Sequence, residues 1–143
     1  MARGKRSTIS QILSESSEDY LEAIYSLSKK QKVVRVKEIS QKLNVRMPSV
    51  NAAMKLLARN ELIHQELYGY IELTEKGSKL AQRIVCRHEK IFSFLSAILK
   101  IDTTKAEEEA CRMEHVISKN TVDRLDALRE YMIKNNISDS WLK

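Results

Sequence analysis

The chain has 143 residues, 43% of them hydrophobic and 31% charged, with only three glycines and one proline. That composition excludes a disordered or collagen-like chain and favours long helices, in one domain or in two small lobes that share helices. A formal net charge of +6 and an isoelectric point near 9.3 suit a polyanion such as DNA or a membrane surface, although a lysine-rich surface can also serve solvation alone.

Cys86 and Cys111 form neither a Cys-x-x-Cys pair nor a disulfide framework, which fits a reducing cytoplasm. No apolar run reaches membrane length; the longest, Ile91 to Leu99, contains two serines, and the N-terminus lacks a signal-peptide apolar region. The expectation is a soluble, cytoplasmic, mostly α protein.

Residues 1–15 open Met-Ala-Arg-Gly-Lys-Arg, a basic tail that reads either as frayed or as a phosphate-contacting arm. Ser16 precedes Asp19 by three, a variant of the capping box, and Tyr20, Leu21, Ile24 and Leu27 follow at helical spacing. A helix from about Ser17 to Ser28 is predicted. Asp19 and Glu22 sit three apart on one edge of it, which by itself describes a solvated first turn favoured by the helix dipole.

Two short helices are predicted next, Val36 to Leu43 and Pro48 to Arg59, separated by Asn44-Val45-Arg46-Met47. Ile39, Leu43, Val45, Val50, Met54 and Leu57 form an apolar seam across both, and Pro48 suits a first helical turn. The spacing is that of a helix-turn-helix. Arg46 and Pro48 at the entry of the second helix, with Ser49, Asn51, Ala52, Lys55 and Arg59 on its outward face, suit a major groove. There Asn51 would reach a base edge and Lys55 or Arg59 a phosphate; an ordinary polar face is the competing account.

Alternation replaces the helical period from Leu62 to Leu73, with Tyr68-Gly69 placed to close a hairpin. A two-stranded wing at this point makes the motif a winged helix-turn-helix, with His64 on its surface. Thr74 then caps a long predicted helix reaching about Leu99, whose buried stripe is Leu80, Ile84, His88, Ile91, Leu95 and Ile98. His88 interrupts that stripe, and a hydrogen-bonded core histidine is the plain account of it. Cys86 reads as a small packed residue.

A further helix, capped by Thr103, carries Ala106, Ala110, Met113 and Ile117 inward. A last one, capped by Asn120, carries Val122, Leu125, Leu128 and Met132 inward, and residues 135–143 look irregular. Within Glu109-Ala-Cys-Arg-Met-Glu-His-Val116, Cys111, Glu114 and His115 lie at i, i+3 and i+4. That spacing stacks a thiol, a carboxylate and an imidazole on one helical face, where they can converge on a transition-metal ion. Solvated helices also carry Glu-His pairs beside a buried cysteine, so spacing alone leaves the point open.

With these landmarks in order, Glu18-Asp-Tyr-Leu-Glu-Ala-Ile-Tyr25, Leu73-Thr-Glu-Lys-Gly77, Arg87-His88 and Glu109 to Ser118, the chain resembles the iron- and manganese-dependent repressors typified by the diphtheria toxin repressor and the manganese transport regulator. The resemblance runs from about Ser17 to Met132. It implies a winged helix-turn-helix DNA-binding domain over 16–74 and a helical metal-binding and dimerisation domain over 75–134, without the SH3-like domain of the iron-type proteins. It further implies metal bound where the two domains meet.

On that resemblance, Asp19 and Glu22 match the carboxylate pair of the manganese-type members, His88 the histidine of the long helix, and Glu114 and His115 the Glu-His pair. Cys111 stands where the manganese regulator has a glutamate and the iron-type branch a cysteine. Phe92 and Glu107 occupy two positions of the iron-type ancillary site, where a phenylalanine cannot ligate; Glu107, and less so Glu108, remain candidates for a second ion. Carboxylates favour Mn2+, whereas a thiolate beside an imidazole moves preference towards Fe2+, Co2+ or Zn2+. The implied protein is a homodimeric repressor of metal-uptake genes, activated by Fe2+ or Mn2+ and bound to palindromic duplex DNA. Zn2+ and Co2+ are expected to substitute in vitro. Competing readings are a winged-helix regulator indifferent to metal and a metalloenzyme using His88, Glu114 and His115; against the latter, the sequence shows no nucleophile motif.

Overall fold

A computed structural model describes residues 13–31, 33–66 and 69–143, so the basic tail and Tyr68 of the hairpin lie largely outside the described residues. The described part is mostly helical, as the composition predicts, and divides into two compact units, one ending at Gln82 and one beginning at Arg83.

The first unit begins with α1, Glu15–Ser28. Its cap is Ser14, two residues before the predicted Ser16: Ser14 is extended and its hydroxyl accepts from the Ser17 amide at 3.2 Å. Leu21 and Ile24 are fully buried on the inner face. Strand β1, Val34–Arg35, leads directly into α2, Val36–Leu43. Asn44 then adopts a left-handed conformation (φ 52°), and the Ser40 hydroxyl donates to the Val45 carbonyl at 2.6 Å, which fixes the turn. Helix α3, Met47–Arg59, starts one residue earlier than predicted, with Pro48 in its first turn where the missing amide hydrogen costs nothing.

The wing is β2, Ile63–Gln65, antiparallel to β3, Tyr70–Leu73, with Ile63 opposite Leu73 and Gln65 opposite Ile71. The Glu66 amide donates to Tyr70, and Gly69 at φ 78° donates to Glu66; that left-handed position is what glycine allows without a Cβ clash. β1 adds a third strand on the other side of β3, giving the order β1-β3-β2. Two residues are too few to show alternation, which is why β1 is not visible in the sequence. His64 is exposed, as expected.

Helix α4, Glu75–Ser93, is capped as predicted, Thr74 Oγ1 accepting from the Gly77 amide at 2.9 Å. It passes from the first unit into the second and continues as a π-helical turn, Phe94–Ile98. All six residues of its predicted stripe are buried, His88 included at 8% exposure. Cys86 is exposed rather than packed, because it sits off that stripe.

The second unit adds α5, Thr103–Met113, and α6, Lys119–Lys134, followed by a single 3-10 turn, Ser140–Leu142. Both predicted caps shift: Asp102, not Thr103, accepts from the Thr104 amide, and Ser118, not Asn120, accepts from the Thr121 amide. In each case an earlier residue with a short polar side chain takes the cap position. Ile91, Leu95, Ala106, Ala110 and Val122 form the core, with Met113 and Ile117 packed against it. Leu128, expected inward, is 46% exposed, since the buried face of α6 runs through Val122 only near its start.

Candidate metal centre and nucleic-acid interface

In the first unit, Val50, Met54 and Leu57 recur at i, i+4 and i+7 and are fully buried, so they turn one face of α3 into the core. The opposite face is thereby committed to solvent. Arg46, Pro48, Ser49, Asn51, Ala52, Lys55 and Arg59 are all exposed there. Met47 and Leu56, exposed by 47% and 42%, share the surface of this helix and were not anticipated. The face offers an amide, two small side chains and three cations, a set that can hydrogen-bond base edges and neutralise phosphates. Asp19 and Glu22 are half-buried on α1 of this same unit.

In the second unit, the geometry centres on His88. Nδ1 lies 2.8 Å from Oε2 of Glu114 and Nε2 lies 2.9 Å from Oε1 of Glu107. Ionised carboxylates only accept, so the imidazole satisfies both as a doubly protonated cation. The hydrogen bond to Glu114 is the main cause of a pKa pushed up to about 9; burial works against it and the Glu107 contact adds to it. The expectation of a hydrogen-bonded core histidine therefore holds, and its partners are two candidate ligands.

Helix α5 ends at Met113, yet its cap Glu114 keeps helical dihedrals and its amide donates to the Ala110 carbonyl at 3.0 Å, so Cys111 and Glu114 retain the i, i+3 spacing. Glu114 is the C-terminal cap and His115 lies in the following turn, held by bonds from the Val116 and Ile117 amides to the Met113 carbonyl. The donors stay close nevertheless. A carboxylate oxygen of Glu114 lies within 4.8 Å of Cys111 Sγ, and His115 Nε2 is 3.5 Å from Glu114 Oε1. Cys111 is exposed, whereas Glu114 is fully buried. Glu108 pairs with Lys105 at 3.4 Å on the surface.

Glu114 Oε1 is buried and makes no hydrogen bond among the described residues, a costly arrangement unless a cation completes it. A soft thiol, hard carboxylates and imidazole nitrogens together are donors that a divalent first-row ion accepts. The residues present fit such an ion.

Two domain families match the chain in sequence: the iron dependent repressor N-terminal DNA binding domain over residues 12–71, and the iron dependent repressor metal binding and dimerisation domain over 74–139. The chain belongs to the iron-dependent repressor family. Members of this family are metal-dependent transcriptional regulators, not enzymes, and carry domains for DNA binding and dimerisation. Among its relatives, an uncharacterised HTH-type transcriptional regulator of Methanocaldococcus jannaschii is 37% identical over 119 residues, covering 82% of this chain and 95% of that one. The HTH-type transcriptional regulator MntR of Bacillus subtilis is 34% identical over 128 residues, covering 90% and 89%. The solved manganese regulator SloR matches with a TM-score of 0.72 at 34% identity, over 80% of this repressor-family chain. That match spans 54% of the SloR chain, so this protein corresponds to just over half of its length. Among the described residues no helix is long and apolar enough to cross a membrane.

Proposed function

We propose that this chain is a homodimeric repressor of metal-uptake genes whose DNA binding is switched on by Fe2+ or Mn2+. The observation that carries the reading is the buried, unbonded Oε1 of Glu114, set beside Cys111 and His115 while Oε2 holds His88. Asp19, Glu22, His88, Cys111, Glu114 and His115 would hold the ion, with Glu107 and Glu108 reserved for a second. When bound, the ion would supply the positive charge that the His88 proton otherwise brings to these carboxylates, and its binding would release that proton.

On this reading residues 16–74 read DNA, residues 75–134 bind metal and dimerise, and the ion joins them. Without metal, repulsion and desolvation among the carboxylates, and the thiol once ionised, would loosen that junction. Metal that binds only the joined arrangement favours it by RT ln(1 + [M]/Kd), about 2.7 kcal/mol at a hundredfold excess. Two reading helices held about 34 Å apart would then enter successive major grooves of a palindromic site. Arg46, Pro48, Ser49, Asn51, Ala52, Lys55 and Arg59 form the contact face. Zn2+ and Co2+ are expected to substitute in vitro, because the Irving–Williams order makes them tight binders, so affinity alone does not name the physiological ion.

The test is an anaerobic gel shift on the DNA upstream of the protein's own gene, titrated with Fe2+, Mn2+ and Zn2+, with and without chelator. Metal-dependent retardation is expected. Retardation indifferent to chelator would overturn the switch and leave a metal-independent winged-helix regulator.

A further inference from the structure

We propose that Arg35, held in place by Tyr70, is a second station for the DNA phosphate backbone, separate from the α3 face. In the antiparallel pairing of β1 with β3, Arg35 lies directly opposite Tyr70 and Val34 opposite Ile71. Opposed residues share a face of a sheet and successive ones alternate. Val34 and Ile71 are each 1% exposed, so they define the core side, and Arg35 and Tyr70 must project from the other.

On that side the guanidinium is engaged twice by one partner. Nη2 donates to the Tyr70 hydroxyl at 3.1 Å, and the guanidinium carbon lies 5.1 Å from the centre of the Tyr70 ring. Glu38 is the near acidic group, but its Oε2 accepts from the Arg35 backbone amide at 2.8 Å, serving the start of α2. Among the described residues no carboxylate forms an ion pair with the Arg35 guanidinium. The side chain is exposed, and Lys37, two residues on, is exposed as well.

An arginine fixed by a tyrosine, with no carboxylate paired to its guanidinium among the described residues, has lost rotamer freedom in advance of binding. Its remaining donors fit the forked geometry that guanidinium uses on phosphate oxygens. Its place in the fold selects the ligand. Arg35 is the N-terminal cap of α2, the first helix of the helix-turn-helix, and that helix crosses the DNA backbone when the second enters the groove. The inference rests on the DNA-binding reading of α3 and adds to it a contact that fixes register without reading sequence.

The experiment measures affinity of the full-length, Mn2+-loaded protein for a short mixed-sequence duplex across a range of salt concentrations. Lys55→Ala serves as a reference for loss of one phosphate contact. Arg35→Ala should reduce the slope of log K against log salt by about 0.9, and Arg35→Lys should restore the slope. Tyr70→Leu should weaken binding about fivefold in the parent protein and not at all in the Arg35→Ala background. Circular dichroism melts establish that each variant is folded.

An unchanged slope in Arg35→Ala, with a reduced one in Lys55→Ala, overturns the inference and leaves the DNA-binding reading intact. Equal losses from Tyr70→Leu in both backgrounds overturn the positioning role of the tyrosine. Failure of the parent protein to bind any duplex overturns both.

Discussion

The imidazole of His88 and the carboxylate of Glu114 meet at 2.8 Å although 26 positions separate them in sequence, and both are buried. A proton thus links two of the proposed metal ligands, and that proton has a measurable signature. The His88 pKa is raised from 6.5 to about 9, so the group contributes stability that is fully present below pH 6.5 and is lost as pH rises through 9. The contribution is at most about 3 kcal/mol. Denaturant melts of chelator-treated protein should show stability falling across that window, and Glu114→Gln should flatten most of the fall. A parent protein equally stable at both ends of the window would contradict the imidazolium assignment.

Cys111 is the soft donor of the cluster, exposed yet within 4.8 Å of a Glu114 carboxylate oxygen. Replacing it by a hard donor, Cys111→Glu, should move preference towards Mn2+ and away from Fe2+, Co2+ and Zn2+. Competition titrations read this as a rise in Mn2+ affinity relative to Co2+, with metal-dependent DNA retardation as a second readout. Unchanged selectivity would remove the thiol from the ligand set.

Much of this was legible in the sequence, for identifiable reasons. Helix α2 has its predicted ends because Val36, Ile39 and Leu43 recur with helical spacing and Asn44 stops the helix in a left-handed turn. The α4 stripe emerges because six residues at three- and four-residue spacing all point inward. The clustering of Cys111, Glu114 and His115 was legible because i, i+3 spacing carries Cys111 and the capping Glu114 to one side of α5, whereas the turn that holds His115 was not, since no glycine or proline marks the end of that helix. The bond from His88 to Glu107 was equally hidden, since it joins residues 19 apart on different helices. Caps slipped by one or two residues at Ser14, Asp102 and Ser118 because neighbouring serines, threonines and acids compete for the same role.

Gly77 has a packing role that the sequence does not announce. A Cβ at this position would lie 1.9 Å from the Leu62 carbonyl oxygen, which also accepts a hydrogen bond from the Thr74 amide at 3.0 Å. The obstruction is backbone, so a side chain cannot be accommodated by a rotamer change. Gly77→Ala should force the start of α4 away from Leu62, just before β2, and destabilise the first unit by about 1–3 kcal/mol, despite the better helix propensity of alanine. Thermal melts measure this directly; a variant as stable as the parent would show that the helix start can shift freely.

The exposed face of α3 makes separable predictions for two of its residues. Lys55 is a flexible point charge one turn beyond Asn51, and a cation of this kind neutralises phosphate without regard to sequence. Lys55→Ala should weaken binding to specific and unrelated duplexes alike and reduce the salt slope by about 0.9. Asn51 carries both a donor and an acceptor near the helix N-terminus, the geometry suited to an adenine edge. Asn51→Ala should therefore reduce discrimination between a preferred site and its single-base variants by about 1–3 kcal/mol while leaving the salt slope unchanged. Binding assays against both kinds of duplex, at two or more salt concentrations, separate the effects. If Lys55→Ala altered base preference and Asn51→Ala altered only the slope, α3 would lie in the groove with a different rotation about its axis from the one its buried Val50, Met54 and Leu57 dictate.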